Sequence, residues 1–444
     1  MHVGIHLSDV TVHKALDREL ARLAVPALGA LAAEPLYVLV DTAVVGHLGT
    51  APLAGLAVAG TVLTTSFFLC NFLAYGTTGA VARRHGAGDE AGAAAVGVQA
   101  LWLGGGLGVL LAVLGLVFGG AAVRLLGGDG DVQAPAETYL RISALGAPAV
   151  LVALGGTGWL RGRQDTKTPL FVALAANLVN LVLEVTWIYR FDGGIAASAW
   201  STVVAQYGAA AWFVLAVLRA AGPARPDATI IRSLLVTGRH LFIRTGSLLA
   251  AFAVGTAVAS RIGTAAVAAH QIAFQLWSFL ALVLDALAIA AQALVGRMLG
   301  AGDAAAAREA SDRLLRWGIV FGVAAGAAVA VLRPVLPGLF TDDPAVREAL
   351  LAILWFVAAQ QPLNAAVFVL DGVLIGAGDL RYLAWAMAAA SLLFVPAALA
   401  VLVLDASLPW LWVALTLLMV ARLVGVGLRY RRGRWAVLGA ENRI

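Results

Sequence analysis

A single cysteine, Cys70, is all that 444 residues contain. Intramolecular disulfides and cysteine-built zinc or iron–sulfur sites are therefore excluded. Charge is scarce as well. Asp, Glu, Lys and Arg make up 12% of the chain, about half the share of an ordinary soluble domain. No H-E-x-x-H zinc site and no G-x-S-x-G nucleophile elbow occurs, so an enzyme is not expected. The opening MHVGIHLSDVTVHKALDREL lacks a cationic start, an apolar core and a cleavage site. No removable signal peptide is expected.

What remains is apolar. The chain is 61% hydrophobic with a mean hydropathy of +0.91, the composition of a polytopic membrane protein. Stretches long enough to cross lie near 21–46, 53–83, 92–120, 133–160, 168–189, 195–218, 234–260, 265–298, 312–336, 345–376, 382–403 and 408–428. Lipid demands closed backbone hydrogen bonding, so these read as helices; barrel strands would be shorter and alternate with polar residues. The expected class is all-α integral membrane, with twelve transmembrane helices. Arg83, Arg84, Arg161, Arg163, Lys167, Arg219, Arg225, Arg232, Arg381 and the RYRRGR tail fall on the side of the termini. The positive-inside rule places both termini in the cytoplasm of a cell whose inner membrane the chain spans. The net charge of +5 serves orientation and lipid contact; no nucleic-acid partner is expected.

The chain repeats itself. DTAVVGHLGTAPLAGLAVA (Asp41 to Ala59) aligns with GTAVASRIGTAAVAAHQIA (Gly255 to Ala273) at an offset of 214. The same offset carries GAGD at 86–89 onto 300–303, Pro148 onto Pro362, Gly162 onto Gly376 and Asp165 onto Asp379. The protein thus divides into a first lobe, 1–218, a cytoplasmic linker, 219–233, a second lobe, 234–430, and a basic tail, 431–444. Six crossings per lobe make these parallel repeats, related by a pseudo-twofold axis along the membrane normal. Many glycines sit in the spans, where small residues allow close helix packing.

Duplication supplies an internal control. Asp41 aligns with Gly255, Glu34 with Leu248, Asn180 with Phe394 and Glu184 with Ala398. The first half therefore carries three membrane acids with neutral counterparts. A carboxylate at membrane depth is costly unless paired, hydrated or protonated. These acids are candidate proton carriers or hard oxygen ligands for sodium. Glu34 and Asp41 are seven apart, with Tyr37 between them, four from Asp41; Asn180 and Glu184 are four apart. Each set shares a helix face. Asp41, Asn180 and Glu184 form a cluster if the first and fifth helices touch, with Thr202 adding a hydroxyl. Glu34 precedes Pro35 and serves either as part of this site or as a cap at a helix break. Pro26 and Pro35 each remove a helix hydrogen bond, giving a plain kink or a bend that responds to Asp41. In the second half, Arg244, Asp285 and Asp371 make either a structural ion network or a coupling site. His270, Gln271, Gln275 and Gln292 add interhelical contacts or cavity lining.

LVDTAVVGHLGTAPLAGLAV, WLRGRQDTKTP (Trp159 to Pro169) and LDGVLIGAGD (Leu370 to Asp379) resemble the multidrug and toxic compound extrusion transporters, most closely their DNA-damage-inducible branch. The resemblance spans nearly the whole chain. It implies a V-shaped fold of two six-helix lobes and efflux of organic, often cationic or amphipathic compounds in exchange for H⁺ or Na⁺. It implies a cation site at Asp41, Asn180, Glu184 and Thr202, which for sodium would be a metal site, and a bending role for Pro26. Glu184 stands where related members carry aspartate, and LFIRTG with Arg244 stands where another branch carries a glutamate.

The expected function is cation-coupled antiport by alternating access, with no cofactor beyond the coupling ion, a small organic cargo and membrane lipid as partners, and a monomer as the working unit. Protons come first as coupling ion, with sodium close behind. A flippase for lipid-linked precursors is the nearest alternative, and a channel the next.

Overall fold

The computed structural model describes the backbone of residues 4–440 and the side chains of residues 14–440. Fifteen α-helices follow one another: α1 (Gly4–Gly46), α2 (Thr50–Leu69), α3 (Phe72–Gly86), α4 (Glu90–Leu125), α5 (Gln133–Ala144), α6 (Ala147–Gly162), α7 (Lys167–Phe191), α8 (Gly194–Ala221), α9 (Ala228–Ile262), α10 (Thr264–Gly300), α11 (Ala304–Leu332), α12 (Leu336–Phe340), α13 (Pro344–Gly376), α14 (Leu380–Val403) and α15 (Leu408–Arg431). Among the described residues, eleven helical spans are long and apolar enough to cross a membrane, with α2 and α3 forming one of them. The pair α5 and α6, bent by 48° at its break, makes the twelfth. Helix α1 runs unbroken through Pro26 and Pro35.

The duplication is visible in the packing. A Cβ on Gly108 of α4 would lie 2.3 Å from Pro148 Cα of α6, and one on Gly322 of α11 would lie 2.8 Å from Pro362 Cα of α13. Likewise a Cβ on Gly158 would lie 2.5 Å from the Ala74 carbonyl oxygen, and one on Gly372 2.4 Å from that of Ala288. All these pairs obey the offset of 214. Absent side chains let the helix backbones touch, as in other lipid-embedded bundles.

The GAGD turns also correspond. Gly88 and Gly302 take φ of +76° and +81°, left-handed values that glycine adopts without a Cβ clash. The following aspartates cap the next helices, Asp89 accepting from Gly92 N and Asp303 from Ala306 N, both at 2.8 Å. A third GAGD, at 376–379, closes α13 with Gly378 at φ +72°, but Asp379 makes no side-chain cap there and instead pairs with Arg429.

The halves differ where the first is broken. Leu145 and Gly146 interrupt α5 and α6, whereas α13 continues through the equivalent Ala359 and Gln360. Gly146 together with Pro148 weakens two adjacent turns, and the Tyr207 hydroxyl donates to the Leu145 carbonyl at 3.0 Å. The second half has Gln360 and Ala421 at the positions of Gly146 and Tyr207. Its helix is neither loosened nor offered that donor.

Two units emerge, and their borders do not follow the linker at 219–233. Among the described residues, one comprises 4–24 together with 239–440; the other is Val25–Gly238. The borders, after 24 and after 238, are themselves 214 apart. Helices α1 and α9 thus each begin in one unit and end in the other. The linker is helical at both ends, leaving 222–227 between α8 and α9.

A methyl group at Gly372 should therefore be costly. Gly372→Ala is expected to lose about 1–3 kcal/mol through forced helix separation, read as a lower unfolding temperature in detergent. Gly106→Ala, with nothing within 4 Å of the added Cβ, should unfold as the parent does.

Candidate functional site

Helix α7 is built inside out for water but rightly for lipid. Its buried residues are Pro169, Asn180, Glu184 and Ile188, so the last three form one stripe at four-residue spacing. Leu174, Leu178, Val179, Val182 and Val185 are exposed. The partner stripe on α8 is Ser198, Ser201, Thr202 and Ala205, also buried. Asp41 of α1, 4% exposed, and Tyr139 of α5, 5% exposed, complete the enclosure.

The hydrogen bonds converge on two hydroxyls. Ser198 Oγ donates to Asp41 Oδ1 at 2.8 Å. Thr202 Oγ1 donates to the Ser198 carbonyl at 3.0 Å. It accepts from Asn180 Nδ2 at 2.9 Å and, its own proton being engaged, from the Tyr37 hydroxyl at 2.8 Å. One hydroxyl offers one proton and two lone pairs, so Thr202 is saturated. Glu184 is fully enclosed, with its carboxyl beside Asp41 and Ser198. Neither Glu184 oxygen has a hydrogen-bond donor, and neither does Asn180 Oδ1. Three acceptor oxygens on one helix face are thus without a protein donor. Ionised and unpaired, a carboxylate at such depth costs several kcal/mol; a proton or small cation removes that cost.

Asp41, Glu184, Asn180, Thr202 and Tyr37 are therefore brought together. Glu34 is not. Its residue is exposed, and it lines a cavity of about 340 Å³ with Tyr37, Phe67, Asn71, Thr157, Asn177 and Gln206, among others. Asn180 and Thr202 form part of the same wall, so cavity and acid cluster share residues. No Lys or Arg lines it. Ser198 and Tyr139 were not anticipated from sequence. Ser198 carried a signal, since its counterpart is Trp412; that of Tyr139 is Ile353.

At the equivalent place the second half is filled with hydrocarbon. Phe394 and Ala398 are fully buried, and a Cβ on Gly255 would touch Phe394 Cζ at 3.7 Å. Only the backbone-directed hydroxyl survives: Thr416 donates to the Trp412 carbonyl at 2.8 Å, as Thr202 does to that of Ser198.

The second half's charges make an ion network. Asp371 Oδ2 accepts from Arg244 at 2.5 Å and from Arg422 at 2.7 Å. Arg422, 3% exposed, went unanticipated, although its counterpart Gly208 marks it as asymmetric. Asp285 is half-buried on α10. His270, also buried, lies among Phe274 and Trp412, with no partner for Nδ1. Buried Gln292 packs its backbone against Gly376. Among the described residues, no group of three or more His, Cys, Asp or Glu is placed to hold a metal ion.

Tandem six-helix bundles with buried ionisable groups are an architecture of polytopic membrane transporters. A family model described as MatE matches residues 26–186 and 247–399, well over half the chain. The chain is similar to Protein DETOXIFICATION 44, chloroplastic, of Arabidopsis thaliana, with 33% identity over 461 residues covering 98% of this chain and 86% of that one. It is 29% identical over 445 residues to DNA damage-inducible protein F of Escherichia coli strain K12, covering 94% of each. Among solved structures, the outward-facing conformation of a multidrug resistance MATE family transporter of the MOP superfamily superposes with a TM-score of 0.85 at 23% identity, covering 94% of this chain and 97% of that one. MATE in the straight conformation gives 0.84 at 21%, covering 95% and 96%. The chain belongs to the MatE family of multidrug and toxic compound extrusion transporters and has its twelve-helix fold.

Removing Asp371 leaves two guanidinium groups buried. Asp371→Asn should destabilise the protein by about 3–5 kcal/mol, read from thermal unfolding in detergent. Asp342→Asn breaks the exposed pair with Arg347 and should cost under about 1 kcal/mol.

Proposed function

We propose that the protein exports small organic compounds in exchange for protons, with Asp41 and Glu184 as the exchanging pair. The observation that carries this reading is the enclosed Glu184 carboxyl with no donor on either oxygen, beside a second carboxyl. Two adjacent carboxyls can hold one proton between them. Arrival of a proton converts Glu184 or Asp41 into a donor. That donor competes for the oxygens of Ser198 and Asn180 and so re-sorts the bonds that reach Thr202 and Tyr37. Because those last two and Asn180 also line the cavity, a change in protonation reaches the cargo wall directly. A cation drives transport only if the two conformations hold it with different affinity. An acceptor-rich pocket that one conformation closes and another opens meets that condition.

Sodium at Asp41, Asn180, Glu184 and Thr202 is the weaker reading. Thr202 has no lone pair left to offer, because Asn180 and Tyr37 occupy both. A sodium cage would have to break those bonds first. The cargo reading rests on the cavity: a carboxylate at Glu34, the aromatic rings of Tyr37, Phe67 and Phe68, and several amides suit an amphipathic compound with a cationic group. A flippase for anionic headgroups finds no cationic side chain there. We further propose an inner-membrane location, both termini cytoplasmic, a working monomer and no cofactor beyond the ion.

In proteoliposomes, an imposed proton gradient should drive movement of a fluorescent organic cation against its gradient. A sodium gradient at clamped pH should not. Asp41→Asn and Glu184→Gln should each reduce coupled transport at least tenfold with normal membrane insertion. Sodium-driven transport at fixed pH, or full activity of either variant, would sink the proton reading.

A further inference from the structure

The exchange of helix starts between the two units has a use of its own. The turns of α1 up to Ala24 are grouped with the second half, and α9 as far as Gly238 with the first. Each leading segment buries a leucine at the same repeat position, Leu20 at 0% and Leu234 at 6% exposure. Each is also held by side chains from a corresponding helix. On α4, Gln99 donates to the Arg225 carbonyl at 3.1 Å and accepts from Asp227 N at 2.9 Å. Trp102 Nε1 donates to the Ala224 carbonyl at 3.1 Å. On α11, Arg313 and Trp317 both bind Asp17, Arg313 through Nε at 2.6 Å and Trp317 through Nε1 at 3.0 Å. Gln99 and Arg313 are 214 apart. Arg297 at the end of α10 adds an ion pair to Glu19 at 2.7 Å.

The two grips differ in chemistry. The grip on the approach to α9 centres on Gln99, a neutral amide that is 2% exposed and clasps backbone from both sides. The grip on α1 is made of ion pairs whose side chains are between 24% and 33% exposed. Water and salt weaken such pairs, whereas a buried, satisfied amide stays put. One strap is thus fixed and the other releasable.

We propose that the leading turns of α1 are a releasable latch: Asp17 and Glu19 are held by Arg313, Trp317 and Arg297 in one state of the transport cycle and let go in the other. Alternating access re-orients one half against the other. A helix anchored in both units must then either give up an anchor or bend, and the ionic anchor of α1 is the weaker. This rests on the transport reading above.

The test uses the full chain with Cys70→Ser, which leaves no native thiol, carrying Asp17→Cys and Arg313→Cys. A short bis-thiosulfonate linker tethers the pair and reductant frees it; mass spectrometry confirms the tether. Efflux by the untethered pair should stay within about threefold of the parent, fall at least tenfold on tethering and return on reduction. Unchanged efflux by the tethered protein would overturn the latch. Absence of efflux in the parent would instead overturn the transport reading. If the cysteine pair does not accumulate, Asp17→Arg and Arg313→Asp replace it. Each alone should slow efflux more than the double exchange, and additive losses would overturn the proposal.

Discussion

A carboxyl group enclosed within a membrane protein, with no donor for either oxygen, organises the first half of this chain. Glu184 cannot face lipid, so α7 turns its polar stripe inward and its leucines and valines outward. The stripe then needs a polar counter-surface, which α8 supplies as Ser198, Ser201 and Thr202. Asp41 completes the set from α1 through Ser198. Each residue is tolerable there only because the others are present, since an isolated polar group at that depth lacks partners. The same face supplies Asn180 and Thr202 to the cavity wall. The buried acid cluster and the cavity are thus two sides of one layer of side chains.

The second half shows two other ways to treat the same positions. One is removal: Phe394 presses against Gly255 where Asn180 and Asp41 would be. The other is permanent compensation. Asp371 aligns with Thr157, a cavity-lining residue, and it is neutralised by Arg244 and Arg422. A guanidinium is always charged and always tethered, so this acid is compensated from within the protein. The contrast isolates what Glu184 has that Asp371 lacks, namely carboxyl oxygens without a protein donor. The two copies of the bundle thus differ: one buries a carboxyl without a protein donor, and the other neutralises its acid with two guanidinium groups.

Much of this was legible in the sequence because the offset of 214 turns one chain into a comparison. It predicted the tandem halves, and the asymmetry of Asp41, Asn180 and Glu184 led to residues that do lie together. The same comparison would have found Ser198 against Trp412 and Arg422 against Gly208. Neither stands out on its own, because serine is common wherever membrane helices pack and Arg422 precedes a run of basic residues. Glu34, seven residues from Asp41, shares nearly the same face by periodicity but not the same depth. Asp41 lies under Ser198, whereas Glu34 lines open space. The break at Leu145 was hinted at by Gly146 and Pro148, yet Pro362 passes through an unbroken helix, so proline alone does not decide.

The exchanged helix starts were not legible, for a physical reason. Leu20 and Leu234 say that each leading segment has a buried face, but an apolar residue carries no address. Addresses come from polar groups that fit one partner only. Here those are the carboxylate of Asp17, matched to a guanidinium and an indole N–H, and the backbone of 224–227, matched to an amide and an indole. Such matches involve residues more than a hundred positions apart and leave no local pattern. Hydropathy sets which segments cross, duplication sets which helices correspond, and a few polar contacts of this kind set which unit each helix end joins. That last choice decides where α1, the helix carrying Asp41, is anchored.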